Sequence, residues 1–166
     1  MENLELLRVR RSIRTFQNSS ILQKDLEKLV DSARFAPTAR NVQPWEFVVV
    51  TDKHKLTELA KLAENGRFMA QAAAGIAVFC ADTKYYLEDG CAATCNILLA
   101  ATALGIGSCW IAGDKKPYSW QVNTLLNAPL GMKLISLISL GYPQDEGAFK
   151  IIEKRSSKEL LHWEKF

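Results

Sequence analysis

Apolar residues recur along this chain with two kinds of spacing. Leu26, Leu29, Val30 and Ala33 fall at helical intervals, and Leu56, Leu59, Ala60 and Ala63 repeat the pattern. Each set predicts a helix with one apolar stripe, the first running into Ala36-Pro37, where proline stops it. Four short apolar runs predict strands: Phe47–Val50, Ile76–Ala81, Cys109–Ile111 and Leu134–Leu140. The last run alternates poorly, which predicts burial on both faces. Helices and strands interleave, so the pattern predicts an α/β or α+β layer arrangement.

A third helix, from about Leu87 to Leu104, has a different character. From Cys91 onward nearly every position is Ala, Cys, Leu, Ile or Thr. With no polar face, such a helix is expected to be buried all round. Two arrangements satisfy that demand: the centre of a subunit interface, where Ala permits close approach, or a central helix packed under a sheet. The residue pattern leaves both open. Asn96 sits alone in this surface and requires a hydrogen-bond partner if buried. Gly105 and Gly107 end the helix.

The length of 166 residues fits one domain spanning the whole chain, residues 1–166. A chain of this size buries roughly two-thirds of the surface that its unfolded form exposes. With 48% apolar and 23% charged residues the composition is globular, and a net charge of +3 gives no reason to expect a nucleic-acid or membrane surface. The start, Met1-Glu2-Asn3-Leu4-Glu5, becomes Arg-rich without an apolar leader core. The longest apolar stretch, Cys91 to Leu104, falls short of the ~20 residues that span a bilayer. The four cysteines form no C-x-x-C pair and lie far in sequence from the two histidines, so no metal site is expected. Together these features predict a cytoplasmic protein with reduced thiols.

Three segments carry candidate chemistry. In Arg10-Arg11-Ser12-Ile13-Arg14, an extended backbone would set Arg10, Ser12 and Arg14 on one face. Two guanidinium groups and a hydroxyl converging on one spot suit a phosphate; the alternative is an exposed basic patch. Nucleic-acid binding lacks support, because no basic stripe with interleaved aromatics follows. The loop Ala36-Pro37-Thr38-Ala39-Arg40-Asn41-Val42-Gln43-Pro44-Trp45 is stiffened by two prolines. It offers donors and acceptors suited to a heteroaromatic ring, while Trp45 reads as a core residue. After the apolar helix, Ala112 and Gly113 follow a short strand with little or no side chain, so a ligand could approach the backbone there. The G-x-G-x-x-G spacing of a dinucleotide fold is absent, and so is a nucleophile elbow.

Taken in order, these segments resemble the nitroreductase family of flavoproteins. The resemblance rests on Arg10 to Phe16 (Arg-Arg-Ser-x-Arg-x-Phe) and on Ala36 to Trp45 (Ala-Pro-Thr-x-x-Asn-x-Gln-Pro-Trp). It continues through Asp89, Asn96, Leu99, Gly105, Gly107, Trp110 and Ile111, then Gly141-Tyr142-Pro143 and the tail from Arg155 to Phe166. It implies an α+β fold with a central, mainly antiparallel sheet flanked by helices, and an intertwined homodimer with FMN at the interface. By position it implies that Arg10, Arg11, Ser12, Arg14 and Arg155 hold the phosphate and ribityl chain. Pro37, Thr38, Ala39 and Asn41 would reach the flavin from the partner subunit, Ala112 and Gly113 would lie near N5 and O4, and Asn65 near the pyrimidine edge. Glu153 stands where some members carry a lysine two residues before the arginine, which favours Arg155 over Lys154 as the phosphate ligand.

The implied activity is NAD(P)H oxidation with ping-pong hydride transfer through flavin N5 to a nitroaromatic, quinone or flavin-type acceptor. No side chain is then needed as a catalytic residue, because the cofactor carries the redox chemistry. The same fold also admits dehalogenating, flavin-cleaving and azoline-oxidising enzymes, and a non-catalytic flavin-binding module.

Overall fold

The computed structural model of the protein describes residues 4–166. Met1, Glu2 and Asn3, part of the segment read above for a leader, lie outside the described residues. At the centre is a four-stranded sheet formed by β1 (Trp45–Val50), β2 (Ala74–Cys80), β3 (Gly107–Ala112) and β4 (Lys133–Gly141), in the order β1-β2-β4-β3. Every neighbouring pair is antiparallel. The expected antiparallel α+β class is therefore the one observed, and each apolar run of the sequence became a strand.

Both faces of the sheet are covered, which is why its inner strands read as unbroken apolar runs. On one face Ile76, Val78, Ile135, Ile138 and Leu140 pack against Leu26, Leu29 and Ala33 of α2 (Gln23–Ala33). They also meet Ala93, Ile97 and Ala101 of α4 (Tyr86–Ala103). On the other face Ala77, Phe79, Leu134 and Leu137 meet Leu56, Leu59 and Ala60 of α3 (Lys53–Leu62). Met69, from the 3-10 segment Glu64–Gln71, and Val122, from α5 (Ser119–Leu125), complete that layer. All of β2 is buried. Full burial of each aliphatic side chain contributes about 1.5–3 kcal/mol, so this double layer is the main source of stability.

The helix ends follow the local chemistry. Asp52 caps α3 by accepting from the Lys55 N–H at 2.8 Å. At the far end of α4, Gly105 takes a left-handed φ of 70°. Its N–H donates to Thr102 O at 3.1 Å while the Ile106 N–H reaches Ala101 O at 2.8 Å, the paired bonds that close a helix before a glycine.

Helix α4 departs from the simplest expectation. It is a central helix under the sheet, but it is not buried all round: Cys95 is exposed and Leu99 and Ala100 are only half-buried. Its lone polar residue has found a partner, because Asn96 Nδ2 donates to Ser32 O on α2 at 3.1 Å. Among the described residues no helix is long and apolar enough to cross a membrane.

Candidate functional site

The Arg-rich segment follows α1 (Glu5–Val9) and runs extended along the far edge of the sheet. Ser12 bridges to Ser108 of β3, and Phe16 bridges to Pro143 just beyond β4. Burial of Ile13 and Phe16 pins the strip to the sheet and leaves Ser12 and Arg14 exposed on either side of Ile13. The result is a cleft of about 470 Å³ lined by Arg10, Arg11, Ser12, Arg14, Lys150 and Lys154 among others. Five cations face one lining acid, Asp145, which is a donor set suited to a multiply charged phosphate.

The five basic side chains of this cleft do not contribute equally. The Arg11 guanidinium folds back, donating from Nε to Val9 O at 3.2 Å and from Nη2 to Arg8 O, and so serves the C-terminal carbonyls of α1. Arg14 holds only a long contact to Ser12 O at 3.4 Å and lies over the Phe68 ring, 5.5 Å from its centroid. Its guanidinium is thus oriented with most of its donors uncommitted. Behind it, burial raises the Cys109 thiol pKa, an effect that the nearby Arg14 charge opposes.

At Arg14 the basic cleft meets a second one, of about 460 Å³. Asn65, Phe68, Trp110, Ala112, Tyr118 and Gln121 contribute to its walls. It mixes aromatic surface with amide and backbone groups, the combination that holds a flat, polar-edged ring. Of the two backbone positions expected here, Ala112 lines the cleft. Gly113 does not: its N–H donates to Ile135 O at 3.0 Å, and its carbonyl accepts from Ser119 Oγ. A Cβ at Gly113 would stand 2.7 Å from Leu134 Cγ, so this glycine permits close packing against β4. Similarly, the Tyr118 hydroxyl donates to Ala112 O, fixing the loop that follows β3.

Arg155 also falls outside the cleft, with Nη2 3.4 Å from Glu159 O of its own tail. Lys154 takes its place in the lining. The lining residues Asp145, Ala148 and Lys150 escaped the sequence reading, although Gly141-Tyr142-Pro143 marked the turn that delivers them.

The loop holding Pro37, Thr38, Ala39 and Asn41 lies elsewhere and lines neither cleft. Asp89, buried in the first turn of α4, accepts from Thr38 Oγ1 at 2.8 Å and from the Ala39 N–H at 3.2 Å. Trp45, at the end of the loop, is a core residue as its position predicted. Within one chain, then, the two halves of the expected site are built but not joined.

A family model described as the nitroreductase family matches residues 7–87, and a second, for provisionally named TM nitroreductases, matches residues 55–165. A protein of Archaeoglobus fulgidus, named provisionally as an NADH dehydrogenase/NAD(P)H nitroreductase, is 38% identical across 99% of both chains. Human iodotyrosine deiodinase 1 is 26% identical over 96% of this chain and 68% of its own length. The solved structure of an FMN-dependent nitroreductase from Clostridium difficile superposes with a TM-score of 0.89 at 28% identity, covering 98% of this chain and 99% of that one. In sequence and in fold, this chain belongs to the nitroreductase family.

Proposed function

We propose that the protein is an FMN-dependent NAD(P)H oxidoreductase that works as a homodimer. The observation that carries this reading is the continuous pair of clefts joined at Arg14, basic at one end and aromatic at the other. Arg10, Arg14, Lys150 and Lys154 would hold the FMN phosphate, with Ser12 beside them. Asn65, Phe68 and Ala112 would face the ring system. Bound FMN would supply the redox chemistry, the transfer of hydride equivalents from NADH or NADPH to a nitroaromatic, quinone or flavin-type acceptor. The chain's own residues bind and orient the ring and limit access of water to it.

The dimer reading rests on surfaces that one chain leaves uncovered. The tail beyond Lys150 is exposed throughout and carries Ile151, Ile152, Leu160, Leu161, Trp163 and Phe166. The bare side of α4, at Cys95 and Leu99, opens into a groove shared with Leu7, Leu98 and Trp110. The loop anchor Asp89 and the groove residue Leu98 lie nine residues apart on α4, about 14 Å along its axis. Antiparallel pairing of α4 with its copy would bring the loop of one chain towards the Arg14 cleft of the other. The four free cysteines fit the reducing conditions of a cytoplasm.

Titration of the protein with FMN tests this reading. One FMN per chain, bound by a species of twice the chain mass, is the expected result. A monomer that takes up no FMN would contradict it. A second reading, reductive dehalogenation, has the deiodinase similarity behind it. Faster reoxidation of the reduced protein by an iodinated tyrosine than by quinones would favour that second reading.

A further inference from the structure

The loop between α2 and β1 is unusual in its backbone. Arg40, Asn41 and Gln43 all have left-handed φ, at 55°, 57° and 52°. Asn tolerates that region, but Arg and Gln gain nothing from it, so the turn needs an external hold. Among the described residues the contacts supply one. Asp89 Oδ2 accepts from Thr38 Oγ1 at 2.8 Å and Oδ1 from the Ala39 N–H at 3.2 Å. The same Thr38 oxygen accepts from the Gln43 N–H at 3.1 Å. The carboxylate therefore ties the start of the left-handed stretch to α4 directly, and its end through Thr38.

Asp89 is 5% exposed and has no basic side chain within ion-pair distance among the described residues. It sits in the first turn of α4 and faces the two donors of the loop. A buried carboxylate kept for these two bonds is costly unless both are made. The loop surface opposite the anchor, at Pro37, Arg40, Asn41 and Gln43, is exposed.

We propose that Asp89 is a positioning residue that sets the shape of the Thr38–Gln43 turn so that it meets the flavin bound by a second copy of the chain. This rests on the FMN reading above. Asp89 touches neither cofactor nor substrate; it acts through Thr38 and Ala39. Asp89→Asn keeps the size but cannot serve both donors. Whichever way the amide turns, either the Ala39 N–H or the Thr38 hydroxyl proton loses its acceptor.

The test is hydrogen–deuterium exchange at the Ala39 and Gln43 amides, alongside FMN titration, for the full-length wild type, Asp89→Asn and Thr38→Val. Faster exchange at those two amides, unchanged protection in β2 and β4, and FMN affinity reduced about tenfold in both variants are expected, with the double variant no weaker than either single one. The visible band of the residual bound flavin should also shift in position or fine structure. Unchanged exchange in both variants overturns the anchor. Faster exchange with unaltered FMN affinity overturns its link to the flavin while leaving the FMN reading intact. Should Asp89→Asn fail to fold, Thr38→Val decides on the same criteria. A wild type that binds no FMN overturns both readings, and differs from the other outcomes because the wild type itself is silent.

Discussion

The two halves of the site are held in contrasting ways. The strip from Arg10 to Phe16 is tied to the sheet by backbone bridges and buried apolar side chains, and within its own chain it borders a complete cleft. The loop from Ala36 to Trp45 is fixed by a buried carboxylate and carries three left-handed residues, yet it faces open space. The first half can be understood from one chain. The second has its shape imposed from behind, as the proposal of a site finished by another copy expects.

The harshest way to break that comparison is to charge the bare side of α4. Leu99→Glu should give a monomer by sedimentation and lower FMN affinity by roughly a hundredfold or more, since an unpaired charge would have to be buried in the interface. If it stays dimeric with normal affinity, the interface lies elsewhere. Next comes the arginine strip. Arg14→Ala should weaken FMN by roughly ten- to a hundredfold, the range for a lost charge-assisted hydrogen bond. Arg11→Ala should cost about threefold or less in fluorescence titrations, because its donors already serve Val9 and Arg8 carbonyls. Equal effects would mean that the folded-back Arg11 conformation is not the binding one. Smaller still is the contrast in the tail: Lys154→Ala should weaken FMN by about fivefold and Arg155→Ala by less, because only Lys154 lines the cleft.

On the anchored side the expected effect is on stability, and not on FMN affinity. Cys80 lies buried beneath Asp89, and its thiol is pushed up from 9.0 to about 12, by burial first and then by the Asp89 charge. In the unfolded chain the same thiol ionises near its ordinary value. The native state therefore retains a proton that the unfolded state has lost, and stability falls as pH rises from about 9 towards 12. Cys80 should contribute up to about 1.4 kcal/mol per pH unit to the slope in denaturant melts, and Cys80→Ala should lose that part while the slope from the other raised thiols and phenols remains. An unchanged slope in that variant would assign it to other groups.

Much of the fold was legible because the sheet is apolar on both faces. Runs such as Leu134–Leu140 could only be inner strands, and Pro37 and Gly105 marked helix ends by their backbone chemistry. Strand order was not legible, since antiparallel pairing of β2 with β4 joins segments that local pattern cannot relate. In the site, the Arg strip could be read because its residues are neighbours in sequence. The Thr38–Asp89 contact could not, because 51 residues separate the partners. Gly113 was open to two readings for a physical reason. Absence of a side chain serves close packing as well as ligand approach, and here Leu134 occupies the space. Which of Lys154 and Arg155 borders the cleft depends on how the tail turns, and that is not written in local pattern.

The central claim is that the clefts meeting at Arg14 hold a flavin that NAD(P)H can reduce. The most direct test is the visible absorption spectrum of the protein supplied with FMN and freed of excess, followed by anaerobic addition of NADH and then NADPH. A retained flavin spectrum that bleaches with at least one donor is the predicted result. A colourless protein after FMN treatment, or a bound flavin that neither donor reduces, would contradict it.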